Sequence, residues 1–225
     1  MKELVLSDIH EKLGGKMVEF AGLSKELREA GSYEVLGTVV DVNFKGSAAG
    51  TLVIEKAAQT ITFAAMEDRV FTTTPIVLSG TTTSGLEVAY SVTSGPATVT
   101  GSNLTLTGVG AVTVVASQAG DANYVAATSV TRTFTVTQAT ATVTLAGLSA
   151  TYDGNAKVAT ATTVPAGLNV DFTYAGLRKE PTEAGSYEVI GTVVDLNYAG
   201  SAVGTLVIDL LFAKRRHAVR VVRVG

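Results

Sequence analysis

The chain has 225 residues, 46% of them hydrophobic and only 16% charged, which is too apolar for a disordered segment and long enough for two or three domains of roughly 100 residues. It contains no Cys, so disulfides and thiol chemistry are excluded, and no Trp, a favoured anchor of interfaces. The net charge of −3 divides into +4 over the last 17 residues and −7 over the rest, and a mildly acidic body argues against nucleic acid as a partner.

Residues 1–17 open the chain. Leu6, Ile9, Leu13 and Met17 recur at helical spacing, Ser7 or Asp8 can cap, and Gly14-Gly15 can terminate. A short amphipathic helix is expected there. Met1 to Asp8 lack the sustained apolar core of a signal peptide, and no run of about 18 apolar residues exists to span a membrane as a helix. From Val18 the grammar changes to strands. Tyr33, Val35 and Val39 alternate with Glu34 and Thr38, so one face can be buried while the other meets water. After the turn-like Asp41-Val42-Asn43-Phe44, Thr51-Leu52-Val53-Ile54 returns as a strand.

A short joint, Ile54-Glu55-Lys56-Ala57-Ala58-Gln59, leads to a second segment. Here Ile61 and Phe63 alternate with Thr60 and Thr62, and Val88, Tyr90 and Val92 with Glu87, Ala89 and Ser91. Leu104 and Leu106 flank Thr105; Phe134 and Val136 are interleaved with Thr133 and Thr135. Turns are signalled at Ser84-Gly85, Ser94-Gly95-Pro96, Gly101-Ser102-Asn103 and Gly120-Asp121-Ala122-Asn123. Short alternating strands about 8–12 residues apart predict an antiparallel β-sandwich. The next joint, Val136-Thr137-Gln138-Ala139-Thr140, is again short and lacks a Gly/Ser or Pro-rich hinge, which predicts a semi-rigid connection.

The third segment repeats the first. Residues 21–54 and 175–208 align without a gap at an offset of 154, with 26 identities in 34 positions. The third segment also has the front that the first lacks: Thr142-Val143-Thr144-Leu145 alternates, Asp153-Gly154-Asn155 reads as a hairpin turn, and Val170, Phe172 and Tyr174 alternate with Asp171 and Thr173. A full unit therefore runs over about 139–209. The missing part of the first copy corresponds to about 139–171, with the expected helix in its place. Half a sandwich leaves strands unpaired. The chain is accordingly expected to be a truncated or recombined product that self-associates through the half-repeat unless the helix covers it.

Leu148-Ser149-Ala150-Thr151-Tyr152-Asp153-Gly154, Ala184-Gly185-Ser186-Tyr187, Asp195-x-Asn197-Tyr198-x-Gly200-Ser201 and Gly204-Thr205-Leu206-Val207-Ile208 together resemble the MBG ("mostly beta", YDG-type) repeats of bacterial surface proteins. The middle segment resembles bacterial Ig-like repeats through Leu78-Ser79, Ser84-Gly85-Leu86, Ser94-Gly95-Pro96-Ala97-Thr98-Val99, Leu104-Thr105-Leu106-Thr107-Gly108 and Asp121-Ala122-Asn123-Tyr124. These resemblances imply tandem immunoglobulin-like sandwiches in a secreted or surface-anchored adhesin-like protein, where such repeats act as stalks and carry no catalytic residues. Residues 8–22, from Asp8-Ile9-His10 to Phe20-Ala21-Gly22, are also similar to the start of glycine-cleavage aminomethyltransferases, but nothing later continues that match.

Few residues suggest chemistry. Asp-x-Asn-aromatic occurs at Asp41–Phe44, Asp121–Tyr124 and Asp195–Tyr198. Carboxylate and amide oxygens suit calcium, but two such residues fall short of its roughly six to eight ligands, and an Asx-turn with a packed ring is the simpler reading. His10 and His217 sit in the two odd terminal segments, and no Gly-x-Ser-x-Gly elbow accompanies them. Glu180, Glu183 and Asp195 read as solvated surface. Lys157 near Asn155 is a candidate for a lysine–amide or lysine–carboxylate crosslink, provided it is buried beside a carboxylate. The basic tail from Ala213 to Arg223 can meet anionic lipid or cell-wall polymer, but a disordered or opportunistically packed extension is the expected reading.

The sequence therefore predicts an all-β chain of tandem immunoglobulin-like antiparallel sandwiches with a short N-terminal helix. Its divisions are 1–56 (helix and half-repeat), 57–138 (Ig-like), 139–209 (complete repeat) and 210–225 (basic tail). The expected role is a structural spacer at the cell surface, with neighbouring repeats as partners and with the export signal and anchor outside the chain. Neither catalysis, cofactor nor metal is expected; a glycan- or protein-binding module is the alternative, and a cluster of exposed loop aromatics would favour it.

Overall fold

The structure, a computed structural model, describes residues 28–38, 43 and 45–210. The helix expected over residues 1–17, the basic tail beyond residue 210, and both histidines lie outside the described residues. Among the described residues every regular element is a strand and none is a helix. This follows from the β-branched Val/Thr alternation, which fits a pleated surface half in water. The chain divides into two compact units, 1–64 with 79–89 and 116–130, and 65–78 with 90–115 and 131–225.

In the first unit, Gly31–Thr38 and Ser47–Ile54 form an antiparallel hairpin, in register from Gly31↔Ile54 to Thr38↔Ser47. Tyr33, Val35, Leu52 and Ile54 share one phase of the pleat and are only half-buried. In the other phase, Leu36 and Val53 are exposed. Ile61–Phe63 pairs antiparallel with Gly80–Thr82, burying Ile61 and Phe63 and turning Thr62 outward. The alternation read from the sequence is the alternation observed.

The second unit contains a four-stranded sheet in the order Arg69–Val70, Val130–Thr137, Gly110–Ser117, Ala89–Ser94, and a three-stranded sheet in the order Ile76–Val77, Asn103–Leu106, Ala97–Thr100. Leu104, Leu106, Val112, Val114, Phe134 and Val136 are all buried. Each fully buried aliphatic side chain of this kind contributes roughly 1.5–3 kcal/mol.

The complete repeat also lies in the second unit. Thr142–Ala146 pairs antiparallel with Thr160–Val164. Opposite stands a four-stranded sheet in the order Ser149–Thr151, Ser201–Asp209, Gly185–Val193, Val170–Tyr174. Ala159, Tyr174, Val189, Leu206 and Ile208 form its main buried cluster, with Leu145, Leu148, Phe172 and Tyr187 packed against it. Ala141, Val143 and Val193 form a second cluster. The two layers meet so closely that a Cβ on Gly204 would lie 2.9 Å from Leu148 Cδ1 and 3.2 Å from Leu145 Cδ1. The buried Tyr174 hydroxyl accepts the Ala159 N–H at 2.8 Å, so its polar end is satisfied. Ala175 and Gly176 both have positive φ, 47° and 80°, as a two-residue hairpin turn requires.

Two expectations need correction. The sandwich is not purely antiparallel: Arg69–Val70, Ala139–Thr140 and Ser149–Thr151 each join a partner strand in parallel. Period-two alternation records which face is buried and is blind to strand direction, so these short edge pairings left no sequence mark. Asp153-Gly154-Asn155 does turn, with Gly154 at φ 78° and Asp153 Oδ1 accepting the Asn155 N–H at 2.9 Å. It does not close a hairpin, because the strands on either side, Ser149–Thr151 and Thr160–Val164, belong to different sheets. The turn residues dictate a local reversal; the pairing beyond is decided by which sheet has a free edge.

Candidate functional site

The most recurrent polar motif folds into the entry point of the complete repeat. Asp195 Oδ1 accepts the backbone N–H groups of Asn197 and Tyr198 at 2.7 and 3.0 Å, which makes the Asx-turn read from the sequence. What the sequence did not reveal is the incoming chain. Ala139–Thr140 pairs in parallel with Tyr198–Ala199, Ala139 N donating to Asn197 O at 2.9 Å and Ala141 N to Ala199 O at 2.8 Å. Gln138 Nε2 points at the carbonyls of Asp195, Leu196 and Tyr198, at 3.1, 3.2 and 3.5 Å. A Cβ on Gly200 would sit 2.1 Å from Ala141 O, so only glycine admits this approach. The Tyr198 ring meets Phe71 edge-on, with centroids 5.6 Å apart and planes at 87°. Asn197 Oδ1 is buried without a hydrogen-bond partner, 3.4 Å from where a Cβ on Gly108 would stand.

The same device is built again in the first unit. Asp121 Oδ1 accepts the N–H groups of Asn123 and Tyr124, both at 2.8 Å. Ala57 bridges to Tyr124 in parallel, its N–H donating to Asn123 O at 2.8 Å and its carbonyl accepting Val125 N–H at 3.0 Å. Lys56 Nζ reaches Asp121 O at 2.7 Å, as Gln138 reaches Asp195 O. Asn123 Oδ1 accepts the Ala30 N–H at 2.8 Å, a contact back into the half-repeat. Gln59 is buried beside this turn and fully engaged. Its amide donates to Gln118 Oε1 at 2.7 Å and Val125 O at 2.8 Å, while its Oε1 accepts the Ser84 hydroxyl at 2.5 Å. The Gly120 N–H also donates to Gln118 Oε1.

In both joints a polar side chain followed by alanine enters beside an Asp-x-Asn-Tyr turn. Sequence reasoning found the turns and missed Lys56, Gln138, Gln59 and Phe71. The available signal was the pairing of a long polar residue with alanine, Lys56-Ala57 and Gln138-Ala139, at the start of each following segment. Of the third motif, Asn43 is described and exposed, while Asp41, Val42 and Phe44 lie outside the described residues.

Comparison with known families gives a match to the MBG domain over residues 15–58 and 141–210, together just over half of the chain. The chain belongs to the MBG domain family. Its two matched segments are the half-repeat and the complete repeat; residues 59–140 fall outside them. A comparison with curated proteins finds no match. Among solved structures, the crystal structure of Drosophila N-cadherin EC1-4 is similar at 14% identity with a TM-score of 0.33, over 81% of this chain and 58% of that one. The chain thus spans less than two thirds of that structure.

Of the remaining sequence candidates within the complete MBG repeat, the carboxylates are exposed and Lys157 is half-buried. Lys157 Nζ pairs with Asp153 Oδ1 at 2.6 Å across one turn, and the carboxylate side chain is 53% exposed. The Lys157 hydrogen bond, followed by that from the Asn155 N–H, holds the Asp153 carboxyl below its ordinary value of 3.8. The Lys157 side chain is only 17% exposed, but a carboxylate kept ionised and wet is a poor electrophile, so the crosslink reading lacks a buried acceptor. Glu180 and Glu183 are exposed, and the Glu183 carbonyl accepts the Tyr187 hydroxyl at 3.1 Å.

Proposed function

We propose that the chain is a structural spacer or scaffold segment of a bacterial cell-surface adhesin-like protein, acting outside the cell and without catalysis, metal or cofactor. The observation that supports this reading is the twice-built joint: an Asp-x-Asn-Tyr turn, a parallel bridge to the incoming chain and a polar clamp from Lys56 or Gln138. A connector stitched by backbone hydrogen bonds limits the freedom between successive repeats, which a spacer needs and an isolated binding domain does not. In this reading the segment divides into the half-repeat within 1–56, an Ig-like repeat over 57–138, the complete MBG repeat over 139–209 and the basic tail. Its partners are neighbouring repeats of a longer chain. The alternative of a glycan-binding module gains little: among the described residues Tyr152 is the only exposed aromatic ring, where sugar binding would call for a platform.

Location is tested by treating intact cells that carry the parent protein with protease. Peptides from residues 28–210 are expected in the released fraction, and their recovery only after lysis would overturn the surface assignment. The spacer role is tested by residual dipolar couplings on the full chain. Segments 65–137 and 139–209 are expected to share one alignment tensor in the wild type and to lose it in a Gln138→Ala/Asp195→Ala double variant. Independent tensors in the wild type would sink the reading.

A further inference from the structure

In the complete repeat the incoming run of chain, residues 139–152, lies along the outgoing run, residues 198–209, and both point the same way. Ala139–Thr140 pairs in parallel with Tyr198–Ala199, and Ser149–Thr151 pairs in parallel with Ser201–Asp209, from Ser149↔Val207 to Thr151↔Asp209. The register slips by a single residue between these two contacts, so they are two ends of one seam. Its backbone bonds include Ala139 N to Asn197 O at 2.9 Å, Ala141 N to Ala199 O at 2.8 Å, Val207 N to Leu148 O at 3.0 Å and Tyr152 N to Asp209 O at 2.8 Å. Between the two contacts, Thr142–Ala146 pairs with Thr160–Val164 in the other layer, which anchors the incoming run in both sheets.

Direction decides how such a seam takes a load. The chain enters the repeat at the start of the first run and leaves it at the end of the second. Tension along the chain therefore pulls 139–152 backwards and 198–209 forwards, along their shared axis. The hydrogen bonds are strained together and must fail together. In an antiparallel pair of terminal strands both pulls would meet at one end, and the bonds would open one at a time. The advantage lies in the rate of forced unfolding and not in the folding equilibrium, to which each bond adds little.

The arrangement does not come with the MBG sequence alone. Residues 59–140 lie outside the family match, yet Arg69–Val70 pairs in parallel with Val136 and Thr137 of the closing strand Val130–Thr137, and Phe71 N donates to Thr137 O at 2.8 Å. Side chains lengthen this short pair. Asp68 Oδ1 accepts the Thr135 N–H at 2.6 Å, and the Arg69 guanidinium lies 5.4 Å from the centre of the Phe134 ring.

We infer that the complete repeat is a load-bearing element, whose parallel seam between residues 139–152 and 198–209 resists tension applied along the chain. This rests on the spacer reading and deepens it, by naming what the spacer withstands. The two fail separately: peptides recovered only after lysis would remove the surface location and leave the mechanics untouched.

The test is optical-tweezers unfolding of the full chain, whose lack of Cys lets engineered thiols define the pulling points. Thr142→Cys/Leu210→Cys loads the Ser149–Thr151 pairing in shear. Glu183→Cys/Leu210→Cys peels Ser201–Asp209 from Gly185–Val193 at the Gly185↔Ile208 end. All three sites are exposed, so the same fold is pulled in two directions. At one loading rate the first geometry is expected to rupture at roughly twice the force of the second or more. Tyr152→Pro deletes the donor to Asp209 O and should lower the first force by about a third, and the second by less. Equal forces in the two geometries overturn the proposal, as does a folded Tyr152→Pro variant that changes neither. Should Tyr152→Pro not fold, the two geometries decide alone, since neither alters a residue of the Ser149–Tyr152 contact.

Discussion

Eight cross-strand pairs run from Gly31↔Ile54 to Thr38↔Ser47 in one hairpin, and the same eight, displaced by 154 positions, run from Gly185↔Ile208 to Thr192↔Ser201 in the other. Tyr33 and Tyr187 make the same hydroxyl-to-carbonyl bond four residues back. Yet Leu206 is fully buried and Leu52 is not. Pairing and register are thus properties of the local sequence, reproduced in two surroundings, whereas burial is conferred by the layer above. The molecule separates the two contributions that are usually confounded in a sandwich, and the energetic difference between them lies mainly in the second, since apolar burial is the dominant stabilising term.

Matched substitutions in the two copies can break or sharpen that comparison. The largest effect is expected for Leu206→Ala, at roughly 2–5 kcal/mol, because a fully enclosed leucine leaves a cavity. Leu52→Ala should cost less than half as much. Urea unfolding of the full chain, with amide exchange to assign each transition to its hairpin, measures both; equal losses would mean that Leu52 is as well covered as Leu206. Next comes Gly204→Val, whose added methyls must displace Leu148 and Leu145, at roughly 1–3 kcal/mol. Gly50→Val meets nothing within 4 Å among the described residues and should be neutral or slightly stabilising, since valine suits a strand better than glycine. A clash at Gly50 in the same assay would show that its face is occupied.

Smaller effects are expected at the joints and at the surface. Asp195→Ala removes the acceptor for two backbone N–H groups and should cost about 1 kcal/mol, read as faster exchange at Asn197, Tyr198 and Ala141 with little change in the 185–208 hairpin. The smallest concerns Asp153. Its folded pKa lies below the unfolded one, so the Lys157–Asp153 pair adds stability above the ordinary carboxylate range and loses it as pH falls through the lowered value. A pair whose carboxylate is exposed contributes little to the total, but Lys157→Met should raise the Asp153 titration midpoint measured by carboxyl NMR. An unmoved midpoint would show that the Asn155 N–H alone sets it.

Much of the fold was legible because its signals are local. Ile61, Phe63, Leu104, Leu106, Phe134 and Val136 alternate with threonine or other outward residues, and each is buried where the alternation places it. Asp121 and Asp195 make the turns that their spacing from asparagine implies. The candidate joint was only half legible. Lys56 and Gln138 act on carbonyls 65 and 57 positions away, and a backbone carbonyl has no sequence identity to recognise. Tyr198 reads as an edge-packing ring, but its partner Phe71 lies 127 positions earlier, outside the matched MBG segments, and carries no local mark.

The sequence by itself determined strand phase, turn positions and the duplication of the MBG hairpin, since period-two burial, Asx chemistry and glycine φ are decided within a few residues. Tertiary structure alone decided which edges take a parallel strand, why Asp153-Gly154-Asn155 crosses between sheets, and which copy of an identical face is fully buried and which half-buried. Those outcomes depend on what is brought alongside from tens of residues away. A Cβ on Gly204 would meet Leu148 and Leu145, whereas among the described residues nothing comes within 4 Å of one on Gly50, although the glycines share one sequence context.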